Sequence, residues 1–424
     1  MHSLHAGNAP EALPEARGPM RLVSSLRYRD WRLLWSGLMA AQAGEWMDNI
    51  AINWLVWVQT SSPLALGTVS LVRGLPIMLF SLAGGVVADR LDRRALMIWT
   101  QAAGLAATAG IAALATADAL QLWQLYGLLV LRGISIAFNS PARSSVIGDL
   151  VPRSDVTNAL ALHSAVFNST RMVGPAIAGV LIGAAGGGAA GGALVLWLHV
   201  VAYAIAIWTL LAMNVPPSFA TRGGASAWST FVDGIVYIRR EPVVLMLMLT
   251  GIVPFLLGQP YQSMLPVFAT DVFFIGPEGL GFLTSAAAIG SLIAAFAITG
   301  LGDFSRKGLV MVAGLVGFGL FIMAFALTPW APLAAALLFI ASASHQLYAT
   351  TNSTLVQLIV PSEYRGRIMG VHQLDRGFIP IGSFLLGALA QWGGAQAATA
   401  VMAGSLTLVA LAVLVLVPAM RRLE

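Results

Sequence analysis

The 424-residue chain contains no cysteine, a single lysine and few charges of either sign. Without cysteine it can form neither disulfides nor thiolate metal sites. Charged residues are 10% of the sequence and hydrophobic residues 58%, whereas a soluble domain carries about 25% charged residues. A soluble protein so composed would expose apolar patches and aggregate, so the composition selects a membrane protein. The one lysine, Lys307, follows Arg306 and precedes Gly308. The Gly-x-x-x-x-Gly-Lys-Ser/Thr phosphate loop of an ATP-driven pump is therefore missing. The six histidines form no hydrolytic or metal-binding constellation, and neither an enzymatic activity nor a cofactor is expected. Residues 1–25 lack the apolar core of a signal peptide.

What the chain has instead is long apolar runs, each near the ~20 residues that cross a bilayer. The spans are expected at about 33–58, 65–88, 95–116, 121–139, 157–184, 192–214, 243–269, 279–301, 308–328, 331–356, 367–391 and 396–418. The net charge of +5 is distributed by topology, which argues against a nucleic-acid partner. One set of connections and both termini collect Arg17, Arg21, Arg27, Arg29, Arg32, Arg90, Arg93, Arg94, Arg143, Arg153, Arg222, Arg239, Arg240, Arg306, Lys307, Arg365, Arg367, Arg421 and Arg422, which is 19 of the 23 basic residues. The opposite connections hold only Asp118, Asp271 and Glu278. By the positive-inside rule the basic side is cytosolic, with both termini on it.

The expected organisation is a cytosolic tail over 1–30, a six-helix bundle over 31–214, a cytosolic linker over 215–242, a second six-helix bundle over 243–418 and a short cytosolic tail over 419–424. Pro216, Pro217, Gly223 and Gly224 break the linker. Trp228, Phe231, Ile235 and Ile238 then follow at i, i+3, i+7 and i+10, a spacing that suits an amphipathic helix on the membrane surface but also arises by chance in a linker. The halves echo one another: Val151-Pro152 and His163 recur as Val360-Pro361 and His372, both 209 positions on.

The stretch Gly84 to Leu96, GGVVADRLDRRAL, packs Asp89, Arg90, Asp92, Arg93 and Arg94 into a turn between two apolar runs. So many charges cannot sit in lipid, so the turn lies at a membrane surface. A weaker copy is Gly300-x-Gly302-Asp303-x-x-Arg306-Lys307. Gly85-x-x-Ala88-Asp89-Arg90-x-x-Arg93-Arg94 resembles the signature loop between helices 2 and 3 of the major facilitator superfamily, with Asp92 where the motif usually has Gly. The stretch from Glu45 to Gln101 resembles a bacterial drug- and siderophore-exporting subfamily that includes the enterobactin exporter and macrolide efflux pumps. So do Asn139-Ser-Pro-Ala-Arg143, Asn158-Ala-Leu-Ala-Leu162, Phe167-Asn-x-x-Arg171-x-x-Gly174-Pro175 and Arg365-Gly-Arg-Ile-Met369.

That resemblance implies an all-α membrane protein of twelve transmembrane helices in two pseudo-symmetric bundles, with a site between them near mid-membrane. It implies a proton-coupled antiporter exporting small amphiphilic molecules such as drugs or siderophores, in the bacterial inner membrane, as a monomer among lipids. A lipid or lysophospholipid transporter on the same fold is the alternative; a non-transporting sensor has less behind it. Gly85, Asp89, Arg90, Arg93, Arg94, Asp149, Asp303 and Arg306 would form a cytosolic gate, with Arg93 on Asp149, or would only mark topology. Gly174, Pro175 and Gly179 resemble the antiporter motif of exporters; simple helix packing also explains small residues there.

Seven charges fall inside predicted spans: Glu45, Asp48, Arg73, Arg132, Arg171, Asp375 and Arg376. Each is costly in lipid and should face water or a partner. At 1.5 Å rise per residue, Asp48 and Arg73 reach similar depths and are expected to pair, with Glu45 one turn away on the same face. A carboxyl group cycled between a dry pocket and an arginine can carry protons. Glu45 and Asp48 are the first candidates, modulated by Arg132 or Arg171; Asp375 and His163 follow. A static salt bridge is the competing account. Trp46, Trp54, Trp57, Asn49, Asn53, Phe138, Asn139, Gln259, Tyr261 and Gln262 are expected to line the cavity, joined by His345, Gln346, Tyr348 and Asn352 from the tenth span. Trp31, Trp35 and Trp57 also suit interfacial anchoring.

Overall fold

In lipid every backbone amide and carbonyl must be satisfied within its own segment, and apolar runs of this length answer by forming helices. The computed structural model describes residues 18–214, 227–302, 305–421 and 423, and they contain no β-strand. A 3-10 segment, Gly18–Arg27, leads into α1 (Arg29–Thr60), α2 (Pro63–Arg90), α3 (Arg93–Thr116), α4 (Leu122–Asp149), α5 (Val156–Ala184) and α6 (Ala189–Ala212). A shorter α7 (Ala227–Arg240) follows. The seventh rod is α8 (Pro242–Val253) and α9 (Tyr261–Val267), each continued by one π-turn. Then come α10 (Gly276–Leu301), α11 (Lys307–Leu327) and α12 (Ala331–Ile359). The eleventh rod is α13 (Ser362–His372) and α14 (Phe378–Gly393) joined by a 3-10 turn, and α15 (Ala395–Leu416) and α16 (Pro418–Arg421) close the chain. Every predicted span coincides with a helical rod. Among the described residues, nine rods are long and apolar enough to cross a membrane by themselves. The other three, α1, α4 and the eleventh, carry Glu45, Asp48, Arg132, Arg143, Asp375 and Arg376.

The rods have an apolar exterior. Only 28% to 50% of each apolar window is buried within the protein, which leaves apolar surface on the outside of the rods for lipid. Within the first half α1 packs on α5 and α6, α2 on α4, and α3 on α4 and α6; within the second, α12 packs on α10 and α11, and α15 on α11 and α14. A separate core of Trp31, Leu34, Met97, Ala142, Ala159 and Leu210 closes the basic end of the first half. Here Ser24 donates to Asp155 Oδ1 at 2.6 Å and Tyr28 to Oδ2 at 2.9 Å, tying the leading segment to the start of α5.

The halves meet along two seams, α5 against α10 and α2 against α14. Both are glycine-close toward the face of the acidic loops. A Cβ on Gly387 would stand 3.1 Å from Gly67 Cα, and one on Gly281 would stand 3.2 Å from Gly179 Cα. Bare backbones can approach this far and side chains cannot. Hydrogen bonds reinforce the same end: Trp57 Nε1 to Thr270 Oγ1 at 2.7 Å and Ser62 Oγ to Gln391 Oε1 at 2.9 Å.

Several expectations change. Ile238 is buried and Ile235 packs beside it in the main core, so these two members of the α7 stripe face protein. Asp233 pairs with Arg367 at 3.4 Å and Tyr237 stacks on Tyr364, so α7 rests on α13. Trp31 is fully buried and Trp57 ties the halves together, so neither is an interfacial anchor. The exposed indoles among the described residues are instead Trp99, Trp123, Trp197, Trp208, Trp330 and Trp392. The side chains of Asp89, Asp149, Asp303, Trp228 and Phe231, the tail over 1–17 and the linker over 215–226 lie outside the described residues.

The acidic-face seam offers a direct test, because the chain has no cysteine of its own. Oxidation of the double variant Ser62→Cys/Gln391→Cys is expected to cross-link the halves and abolish transport, with recovery on reduction. Transport at the reduced rate in the fully cross-linked protein would show that the seam does not open.

Candidate functional site

On α1 the residues Gln42, Glu45, Trp46 and Asn49 recur at i, i+3, i+4 and i+7, which puts them on one helix face. They form one wall of a cavity of about 490 Å³. Arg73 and Ile77 enter from α2, Thr100 and Gln101 from α3, and Ser135, Asn139 and Arg143 from α4. Phe167 enters from α5, and His199 and Tyr203 from α6; Arg376 is the one described lining residue from the second half. These residues span the middle of the rods and their basic-end portions, so the cavity lies on the side away from the close seams.

Asp48 lies behind this wall and does not line the cavity. It is fully buried, and Arg132 Nη1 donates to Oδ1 at 2.8 Å and to Oδ2 at 2.9 Å. His199 Nδ1 stands 3.2 Å from Oδ1, and Arg73 Nη1 stands 3.8 Å from Oδ2. One carboxylate thus gathers α1, α2, α4 and α6. Arg132 supplies the tight contact that was expected of Arg73, because its long side chain reaches across from α4, which packs on α2 and α3, to α1. The imidazole fits because Gly44 has no side chain: a Cβ there would strike His199. The ring stacks on Tyr203 with centroids 4.4 Å apart.

Arg73 turns its second nitrogen toward Glu45, Nη2 to Oε1 at 3.7 Å. The Glu45 side chain keeps 38% of its surface exposed, whereas that of Asp48 keeps none. Arg171 lies 5.9 Å from the Trp46 ring centroid, within cation–π range. Among the described residues, no carboxylate lies within 4.0 Å of Arg143, Arg171 or Arg376. In the second half Asp375 is buried on the 3-10 turn, with His372 Nδ1 at 2.9 Å. His372, Asn352, Tyr348 and Arg376 border a smaller cavity of about 110 Å³.

The structure therefore brings together Glu45, Asp48, Arg73, Arg132, Trp46, Asn49, Asn139 and Arg376. Asn53 and Gln262 share a narrow crevice with Trp46 and Asn49. Other expected lining residues sit elsewhere. Phe138 packs against the basic-end core. Tyr261 is buried against Phe325, and Gln259 accepts from Gln262. Trp54 donates to Gly187 O. Gln346 bonds Thr350, and His345 is held among the Phe255 and Phe318 rings. His163 is half-buried on α5 and absent from the cavity wall. The second half thus contributes far less lining than expected.

The charged turn does local work. Asp92 caps α3 by accepting from Ala95 N at 2.9 Å, which explains a carboxylate where the motif usually has Gly. Arg94 donates to Leu210 O at 2.8 Å and Leu211 O at 2.9 Å, satisfying carbonyls at the end of α6 inside one half. In this arrangement Arg94 therefore acts as a cap within one half. Arg93 is half-buried at the start of α3, and Arg90 and Arg306 are exposed. The close approach belongs to Gly84, which stands against α4, while Gly85 has open space around it. Gly174 rests on α1, with Trp46 Cβ 3.0 Å from where its own Cβ would be; Gly179 and the Pro175 carbonyl abut Gly281 of α10. The antiporter-like motif therefore lies in the seam between halves.

His199 and Arg143 were missed as site residues. A lone histidine in the apolar run Trp197-Leu-His-Val-Val was a usable signal, since ionisable groups in spans are functional by default. Arg143 was counted with the loop arginines, four residues past its predicted span.

The pair Asp48–Arg132 generates a prediction. Arg132→Met is expected to lower stability by ~3–5 kcal/mol by leaving a buried carboxylate without its main counter-charge, seen as a lower Tm in detergent. The double variant Asp48→Asn/Arg132→Gln should recover most of the loss; equal loss in both would remove the ion pair as its cause.

The chain matches, over residues 22–424, the family model described as transmembrane secretion effector. It is 28% identical over 351 residues to the staphyloferrin A transporter of Staphylococcus aureus, covering 81% of this chain and 85% of that protein. It is 26% identical over 419 residues to the multidrug efflux pump Tap of Mycolicibacterium fortuitum, covering 96% and 98%. Its fold resembles the crystal structure of the nucleoside transporter NupG with a TM-score of 0.73 at 14% identity, covering 94% of this chain and 100% of that one.

Proposed function

Since the chain belongs to the transmembrane secretion effector family of the major facilitator superfamily, we propose that it is a proton-coupled exporter of small amphiphilic molecules, acting as a monomer in a bacterial inner membrane. Its similarity to a staphyloferrin A transporter and to a multidrug efflux pump supports that class. The arginine distribution supports a cytosolic basic face and cytosolic termini. The cavity carries the proposal: it occupies the basic-side portion of the bundle while glycine seams close the acidic side. This is an inward-facing arrangement, loading from the cytosol.

Export then requires the seams at Gly67/Gly387 and Gly179/Gly281 to part while the basic ends close. Within that cycle Asp48 is the fixed member, held by Arg132 from α4 and flanked by His199 from α6. Glu45 is the carboxylate that water and protons reach. A proton on Glu45 neutralises it and releases Arg73. The Glu45–Arg73 pair joins α1 to α2, so breaking it loosens two helices that flank the cavity. Asp375 with His372 is a second proton-exchanging pair, placed beside the irregular turn of the eleventh rod.

Reconstituted vesicles with an imposed pH gradient test the coupling. Glu45→Gln is expected to reduce gradient-driven transport at least tenfold while equilibrium exchange of substrate persists. Unchanged gradient-driven transport in Glu45→Gln and in Asp375→Asn would contradict proton coupling through these groups.

A further inference from the structure

The charges on the cavity wall do not balance. Arg73, Arg143 and Arg376 reach it, and among the described residues the one carboxylate there is Glu45. Asp48 does not offset the excess, because it is buried behind the wall and matched by Arg132. Arg143 and Arg376 have no carboxylate within 4.0 Å among the described residues, and Arg73 meets Glu45 only at 3.7 Å. A cavity with low-dielectric walls and one sign of charge concentrates counter-ions of the opposite sign. The guanidinium fork matches carboxylates in two-point contact. Trp46, with Phe167 edge-on at 5.8 Å, adds an apolar aromatic surface to the same wall.

We infer that the transported molecule is an organic anion with at least two carboxylates or equivalent acidic groups on a part-apolar frame, seated between Arg73, Arg143 and Arg376 against Trp46. This rests on the exporter reading and narrows its substrate class: cationic amphiphiles are repelled. It also supplies the other half of the exchange. The Glu45–Arg73 pair can be broken from either side, by a proton on Glu45 or by a substrate carboxylate on Arg73. If the halves reorient only with that pair broken, proton and anion become alternative passengers travelling in opposite directions.

Two dyes that share a xanthene frame and differ in charge test the inference by equilibrium binding to the purified full-length protein in nanodiscs: carboxyfluorescein, a multivalent anion, and rhodamine 6G, a cation. Carboxyfluorescein is expected to bind at least tenfold more tightly. Arg143→Gln and Arg376→Gln should each weaken it about tenfold, the loss of one charge-assisted contact. Glu45→Gln should tighten it severalfold by freeing Arg73, an opposite shift that general damage to the fold cannot produce. Preference for rhodamine 6G, binding of neither dye, or carboxyfluorescein binding indifferent to all three substitutions would overturn the inference. Because the readout is binding, selective anion binding without gradient-driven transport would leave the substrate class standing and remove the exporter reading instead.

Discussion

A charge cannot be left alone in the middle of a membrane protein. The cost of removing an ionised group from water is several kcal/mol even after relaxation, and most of the charges here meet it in one of two ways. Asp48 and Arg132 are buried and neutralise each other, with His199 and Arg73 close by. Glu45, Arg73, Arg143 and Arg376 stand on a cavity wall where water can solvate them, while Arg171 leans on the Trp46 ring and Asp375 on His372. The first solution gathers α1, α2, α4 and α6 around one carboxylate. The second requires that the cavity be wet, and hence open toward an aqueous face.

The same division separates what must stay fixed from what must move. The Asp48 cluster lies wholly in the first half, so rigid-body motion of one half against the other need not disturb it. Contacts between the halves are of another kind. They are glycine approaches and a few side-chain hydrogen bonds such as Ser62 to Gln391. Such a seam holds no ion pair among the described residues, and Trp57 reaches across it through a single hydrogen bond to Thr270, so parting it breaks few strong contacts. The Gly174–Gly179 motif contributes backbone to this seam, which gives its resemblance to an exporter motif a physical location.

The helical architecture was legible because a single constraint, backbone satisfaction in lipid, acts on every span, and apolar run length reports it directly. The span ends were readable to within a few residues except where charge lies inside the helix. α4 runs on to Asp149, ten residues past its expected end, because its polar end faces a cavity and not a loop. The site was legible in part. Depth along the helix placed Asp48, Glu45 and Arg73 together correctly. It could not see that Arg132 reaches across from another helix, or that Gly44 leaves room for His199. Those are facts of lateral packing, on which hydropathy is silent. The same blindness assigned Tyr261 and Phe138 to the cavity: aromatic character does not say which side of a helix is wet.

The central claim is that the charged cavity opens to the basic, cytosolic face while the acidic face is sealed. An Asn139→Cys variant reports on it directly, since Asn139 lines the cavity beside Thr100 and the chain has no other thiol. Its labelling by a membrane-impermeant thiol reagent should be measured in sealed vesicles of each orientation. The account predicts rapid modification when the basic face is outermost and at least tenfold slower modification when the acidic face is. Equal rates, or faster labelling from the acidic face, would contradict it.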